Sequence, residues 1–158
     1  MTRTLLAAIF LLLAAPLQAD ESLDAMYRAH AQAQGLDWRL VKAIAIVESS
    51  ENTRAINARD PSIGIMQIHC TEGMQGRCAN RFDITGWSSV TRDALFDVQT
   101  NIGFGTKILS WNIRTYGFQR GIAIYNSWPA RLTPAGKPFP NQSYVDKVLH
   151  TYRQLQQQ

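Results

Sequence analysis

The sequence predicts a mainly α-helical single domain with a small irregular or β insert around residues 55–70. Apolar residues recur at helical spacing along most of the 158-residue chain, which is the main observation behind this class. Residues 51–90 instead carry Asn, Asp, Gly, Pro and Ser at short intervals, which indicates loops and short strands. No linker or internal repeat divides the chain, so we expect one domain.

Residues 1–19 have the features of a secretory signal peptide and are not assigned to the fold. Arg3 supplies a positive charge, residues 5–13 are all apolar, and Ala19 is a small residue that can precede the cleaved bond. The apolar run to Leu17 is shorter than the ~20 residues that span a bilayer, so an uncleaved anchor is the less favoured alternative. Residues 20–158 are then the mature domain, which we expect in the periplasm.

The expected helices have local start and stop signals. Ser22 can cap the first helix and Gly35 can end it, while Asp37 can cap the second. Later segments are recognised by the spacing of their apolar residues. In chain order, the predicted helices cover residues 23–34, 38–50, 95–113 and 145–155, and residues 121–125 form a short apolar segment.

Composition and charge exclude several classes of protein. With 46% hydrophobic and 18% charged residues, the chain is neither a disordered tail nor a coiled coil. Its formal net charge is +4, but Lys and Arg are scattered and no nucleic-acid motif is present. We therefore expect no nucleic-acid partner, although an anionic polymer is compatible with the charge.

The two cysteines, Cys70 and Cys78, are close in sequence and have glycines between them. In an oxidising compartment this spacing indicates a disulfide that pins a short loop. Two free thiols are the alternative. A metal site that includes the adjacent His69 is a more distant interpretation, because this grouping matches no common zinc spacing.

Glu48 is the most informative single residue. It lies four residues after Ile44 and seven after Val41, which puts a carboxylate on the apolar face of the second helix. Burying an unpaired charge is costly. Either Glu48 pairs with a cation such as Arg54 or Arg59, or its pKa is raised and it holds a proton as a general acid. Periodicity alone does not separate these readings, whereas the nearby Glu51 is interpreted as a solvated surface charge.

Five short strings follow one another along the chain. They are Ile46–Ser49, Gly64–Ile68, Asn101-Ile102 with Gly105, Ala123–Asn126 and Tyr144–Val148. Each string is common alone, but this order and spacing are specific. The succession resembles the lytic transglycosylases, in the branch of the soluble enzymes and of members that serve secretion and conjugation machines. The resemblance covers about Leu36 to Leu149.

The resemblance implies a lysozyme-like α+β fold, peptidoglycan as substrate, and no metal or organic cofactor. Glu48 is implied as the sole catalytic acid and base. Ser49 is implied to support the end of its helix, and Gly64 to allow a close approach of backbone. The implied substrate-binding residues are Ser49, Asn57, Met66, Gln67, Tyr125 and Asn126.

The implied roles of these residues differ. The Gln67 amide would hydrogen-bond substrate, and the Tyr125 hydroxyl would orient Glu48 or the substrate. Asn126 would hold the local loop geometry, and Asn57 would lie near the reacting sugar. Met66 would form a wall of the sugar groove, although ordinary core packing is the alternative for a methionine.

The implied reaction cleaves the β-1,4 bond between N-acetylmuramic acid and N-acetylglucosamine and leaves a 1,6-anhydromuramic end. No acid after Glu48 lies in a recognisable second catalytic string, which favours a mechanism with one carboxylate. A goose-type muramidase that uses water, with Asp60 or Asp83 as its second acid, is one alternative. A non-catalytic peptidoglycan-binding assembly module is the other. The expected partners are glycan strands and, for a specialised member, components of an envelope-spanning machine.

Overall fold

The computed structural model describes residues 22–72, 78–79 and 90–158. The predicted signal peptide and Asp83 lie outside these residues. Five α-helices occur in the described part: α1 (Leu23–Gln34), α2 (Trp38–Ser49), α3 (Val98–Tyr116), α4 (Phe118–Asn126) and α5 (Gln142–Gln156). Two 3-10 turns, Asp93–Phe96 and Trp128–Leu132, precede α3 and follow α4.

The first two helices begin and end where their capping residues predicted. The Ser22 hydroxyl accepts a hydrogen bond from the Ala25 amide at 3.3 Å, and Asp37 accepts one from the Arg39 amide at 2.9 Å. Gly35 ends α1 with a φ of 67°, in the left-handed region that glycine adopts readily. These short-range predictions are confirmed.

A small β insert lies between α2 and α3, as the sequence predicted. Strands β1 (Ser62–Ile63) and β2 (Ile68–His69) form an antiparallel hairpin. A second antiparallel pair joins β3 (Thr71–Glu72) to β4 (Cys78–Ala79). Together with the helices, this insert gives the α-rich, lysozyme-like architecture that the sequence predicted.

Of the two cysteine side chains, only that of Cys70 belongs to the described part of the structure. Cys70 is fully buried at the end of the β1–β2 hairpin. The pairing of β3 with β4 sets Cys78 opposite Glu72, and Cys70 directly precedes β3. The side chain of Cys78 lies outside the described residues, and the predicted disulfide stays a prediction.

The hydrophobic core surrounds α2, which packs against both α1 and α5. Val41 and Ile44 of α2 are fully buried, as are Val145 and Val148 of α5. Helix α4 packs against α3 and α5, and the carboxyl end of α2 contacts α5 and the insert. Among the described residues, no helix is long and apolar enough to cross a membrane.

Glu51 differs from its interpretation as a solvated surface charge. It is only partly exposed, and its Oε1 accepts a hydrogen bond at 3.1 Å from the hydroxyl of Tyr27, a fully buried residue of α1. The interpretation was wrong because the partner comes from another helix, 24 residues earlier in the chain.

Candidate active site

Glu48 lies in the last turn of α2, beside the β insert. The next residue, Ser49, donates a hydrogen bond from its hydroxyl to the Ile65 carbonyl at 2.7 Å. This contact ties the end of α2 to the segment between β1 and β2. Ser49 therefore supports the end of the helix that carries Glu48.

The Glu48 carboxyl is partly buried and is held by a tyrosine from α5. Its Oε1 accepts a hydrogen bond from the Tyr144 hydroxyl at 2.7 Å. Burial raises the pKa of Glu48 from 4.5 to about 7, and outweighs the Tyr144 hydrogen bond, which lowers it. Arg54 and Arg59 are exposed, and no ion pair within the described residues includes Glu48.

Tyr125 reaches the same place from α4. Its hydroxyl donates to the Met66 carbonyl at 2.9 Å rather than to the Glu48 carboxyl. Burial, followed by the charge of Glu48, holds the pKa of Tyr125 well above its usual range, so the phenol stays neutral. The structure thus brings Glu48, Tyr125 and Tyr144 together, and Tyr144 is the one in contact with the carboxyl.

A buried amide organises the segment between β1 and β2. Asn101 of α3 donates from Nδ2 to the Ile63 carbonyl at 2.9 Å and to the Leu95 carbonyl at 2.8 Å, and its Oδ1 accepts from the Met66 amide at 2.9 Å. A Cβ on Gly64 would lie 2.2 Å from that Nδ2. The predicted close approach of backbone at Gly64 is confirmed.

Met66 does not form a wall of an open groove. Its side chain is fully buried, and a Cβ on Gly105 would lie 2.5 Å from its sulfur. The expectation for the Met66 side chain is corrected, because the missing side chain at Gly105 opens a site for it inside the core. The Met66 carbonyl contributes to the site instead, as the acceptor for Tyr125.

Gln67 has a left-handed backbone, with a φ of 48°. Its side-chain Nε2 donates to the Gly64 carbonyl at 2.9 Å and, more weakly, to the Ala55 carbonyl at 3.4 Å. These bonds fix the turn between β1 and β2, so the amide nitrogen is used within the protein. The side chain is partly exposed at the edge of the site.

Asn57 and Asn126 are exposed, and each accepts a hydrogen bond from a neighbouring group. Asn57, in the loop before β1, accepts from the Arg59 amide at 3.1 Å. Asn126 ends α4 and accepts from Asn141 at 3.1 Å, and Asn141 also donates to the Ala123 carbonyl at 2.9 Å. Asn126 thereby joins α4 to the start of α5, close to Tyr144 in sequence.

Asp60 is the acid whose negative charge further raises the pKa of Glu48. Its Oδ1 accepts from the Ser62 hydroxyl at 3.1 Å and lies 2.6 Å from Nδ1 of His69. Nε2 of His69 lies 2.9 Å from the Thr71 hydroxyl. These contacts hold Asp60 in place at the edge of the site.

Residues 25–144 match the family model described as Transglycosylase SLT domain. The chain belongs to this family. SLT domains are lytic transglycosylases that act on peptidoglycan, so this domain is assigned to glycan-cleaving enzymes of the cell envelope.

Tyr144 was missed as a site residue in this SLT domain. It appeared in the fifth string, but no role was predicted for it. Its contact with Glu48 joins residues 96 positions apart and depends on the packing of α5 against α2. The one signal in the sequence was a tyrosine in the fifth string, just before the buried residues of α5.

Within the described residues, no group of three or more His, Cys, Asp or Glu is placed to hold a metal.

Proposed function

We propose that this SLT domain cleaves the β-1,4 bond between N-acetylmuramic acid and N-acetylglucosamine with Glu48 as its one acid and base. The proposal is carried by a single observation. Glu48 is a partly buried carboxyl whose pKa is raised to about 7, in a hydrogen bond with Tyr144. Such a carboxyl holds a proton near neutral pH and can also release it, as both halves of the reaction require.

In the first step, protonated Glu48 gives its proton to the oxygen that leaves with N-acetylglucosamine. The bond between that oxygen and the anomeric carbon of N-acetylmuramic acid breaks. The carbonyl oxygen of the substrate's own N-acetyl group stabilises the resulting sugar cation. Glu48 is left ionised, and the Tyr144 hydroxyl donates to the carboxylate at that moment.

In the second step, ionised Glu48 removes the proton from the O6 hydroxyl of the same muramic acid. The O6 oxygen bonds to the anomeric carbon, which gives the 1,6-anhydro ring and restores protonated Glu48. No water is consumed. Tyr125 keeps its phenol neutral beside the site and supports the Met66 carbonyl, so it acts as a positioning residue.

The substrate contacts are proposed from exposure and position. Asn57 and Asn126 are exposed, and Gln67 and Tyr125 lie partly exposed beside the Glu48 end of α2. We propose that Asn57, Gln67 and Asn126 bind the glycan strand through the side-chain amide atoms that are not engaged within the protein. Ser49 supports Glu48 by tying the end of α2 to the Ile65 carbonyl. The Met66 side chain is left out of this set because it is fully buried.

Glu48→Gln tests the role of the acid. Glutamine keeps the size of the side chain and an oxygen that accepts from Tyr144, but it carries no proton to transfer. Release of muropeptides from purified sacculi should fall by a factor of about 10³ or more, with circular dichroism unchanged. Near-native turnover by this variant would remove Glu48 from the mechanism.

A goose-type muramidase is the second candidate, and the position of Asp60 favours it. In that mechanism Asp60 activates water, so Asp60→Asn should abolish release. In the transglycosylase mechanism Asp60 only adds negative charge near Glu48, so the same variant should keep most activity. His69 lies 2.6 Å from Asp60 Oδ1, and this contact competes with a role for that oxygen in holding water.

We also propose that residues 1–19 are a removed signal peptide and that residues 20–158 act in the periplasm. The peptidoglycan substrate of the family supports an envelope location. Service to a secretion or conjugation machine is proposed from the sequence resemblance alone. N-terminal sequencing of protein from the envelope should start near residue 20. Protein that still carries residues 1–19 would contradict the cleavage of a signal peptide.

The Cys70–Cys78 disulfide is proposed for the same oxidising compartment. Burial of Cys70 and the pairing of β3 with β4 support it. The closed loop is short, so we expect a contribution of at most about 2–3 kcal/mol to stability. Alkylation of both thiols in freshly extracted, unreduced protein would contradict the bridge.

A further inference from the structure

The carboxyl end of α2 has an unusual backbone. Ser50 and Glu51 are consecutive non-glycine residues with φ values of 55° and 61°, both in the left-handed region. This conformation is unfavourable for residues with a side chain, and it persists where surrounding contacts hold it. Two such residues directly follow the turn of α2 that carries Glu48, so the contacts that hold them also influence where α2 ends.

One of these contacts is a hydrogen bond from the neighbouring helix. The Tyr27 hydroxyl of α1 donates to Glu51 Oε1 at 3.1 Å, and Tyr27 itself is fully buried. Burial and the negative charge of Glu51 hold the pKa of Tyr27 above its usual range, so the phenol remains a neutral donor. The Glu51 amide also donates to the Ala45 carbonyl at 3.4 Å. Glu51 is therefore fixed from α1 and from α2.

These contacts do not reach the reacting carboxyl directly. The side chains that act on Glu48 are Tyr144 from α5, through a hydrogen bond, and Asp60 from the loop before β1, through its charge. Glu51 is hydrogen-bonded to Tyr27, whereas Glu48 is hydrogen-bonded to Tyr144, so the influence of Glu51 passes through the backbone of Ser50 and the last turn of α2.

We propose that the Tyr27–Glu51 hydrogen bond is a positioning contact that holds the end of α2 and thereby sets the burial of Glu48 and its distance from Tyr144. The proposal rests on the proposed role of Glu48 as the acid and base. It assigns to Glu51 and Tyr27 a function in the reaction, although neither residue is proposed to touch the substrate or to belong to one of the five strings.

The chain offers a matched control for the test. Tyr152 of α5 donates from its hydroxyl to Asp37 Oδ2 at 3.0 Å, which is the same kind of bond at the opposite end of α2. Tyr27→Phe and Tyr152→Phe each remove one hydroxyl that anchors α2 to a carboxylate. Only the first bond lies near Glu48. Both variants are measured for muropeptide release across sacculus concentration and pH, with thermal unfolding recorded for each.

Tyr27→Phe should lower kcat about tenfold with little change in KM, since a small misplacement of a reacting group costs rate rather than binding. A released helix end exposes Glu48 and lowers its pKa, so the alkaline loss of activity should move to lower pH. Tyr152→Phe should leave kcat and the pH profile unchanged. Equal effects of the two variants, or an unmoved profile in Tyr27→Phe, would overturn the proposal.

Changes at Glu51 separate position from charge and do not disturb the core. Glu51→Gln keeps an oxygen that accepts from Tyr27 and should retain the native kcat and pH profile. Glu51→Ala should reproduce the effect of Tyr27→Phe. Loss of activity in Glu51→Gln would mean that the charge matters and would overturn the positioning role. An inactive Glu48→Gln beside a normal Tyr27→Phe would reject this inference alone, whereas an active Glu48→Gln would reject the proposed function.

Discussion

Replacing Glu48 with glutamine should stabilise the folded protein at alkaline pH. Burial raises the pKa of Glu48 from 4.5 to about 7 in the native state, whereas the unfolded chain restores the ordinary value. The native state therefore binds more protons between these two values, and its stability falls as the pH rises from 4.5 to 7. At about 1.4 kcal/mol for each pKa unit, the loss amounts to about 3 kcal/mol.

The assay is urea denaturation of the native chain and of Glu48→Gln at about pH 4 and about pH 8.5. At the acidic pH the native carboxyl is mostly protonated in both states, so the two proteins differ only by the exchange of side chains. At the alkaline pH the native chain should lose about 3 kcal/mol relative to the variant. Other carboxyls titrate in both proteins and cancel. A difference in unfolding free energy that is equal at both pH values would refute the reasoning.

Three further substitutions test the surroundings of this carboxyl. Tyr144→Phe removes a hydrogen bond that favours ionised Glu48, so the alkaline loss of activity should move up by about one pH unit; a downward shift would contradict this. Gly64→Ala places a Cβ 2.2 Å from Asn101 Nδ2 at a φ of 75° and should cost about 3 kcal/mol in urea denaturation. Asn101→Ala leaves three buried backbone groups without their partner and should lower the free energy of unfolding by about 3–5 kcal/mol. A decrease below about 1 kcal/mol would contradict this expectation.

Features that depend on neighbours in sequence were predictable. Ser22, Gly35 and Asp37 start and stop helices through bonds to residues within one turn, so their types alone indicated the boundaries. The carboxylate of Glu48 on an apolar stripe was also readable, because helical spacing fixes which residues share a face. The two outcomes for Glu48, a salt bridge or a raised pKa, were separated only when the structure showed which groups surround it.

Features that depend on distant packing were not predictable. Tyr144 meets Glu48 only because α5 packs on α2, and the sequence favoured Tyr125 for that contact. Met66 is buried because Gly105 leaves a space on another helix, which no local pattern reveals. Glutamate is a residue type that usually lies at the surface, but Glu51 accepts a hydrogen bond from a tyrosine of α1.

The nature of the product tests the central claim most directly. If Glu48 works alone, the O6 hydroxyl of the substrate is the nucleophile, and muropeptides released from purified sacculi should carry 1,6-anhydro ends. Borohydride should not reduce these ends, and digestion in water labelled with heavy oxygen should leave them unlabelled. Released ends that are mainly reducible and carry the heavy oxygen would contradict the account. That result would assign the chain a hydrolytic reaction with a second carboxylate, for which Asp60 is the candidate.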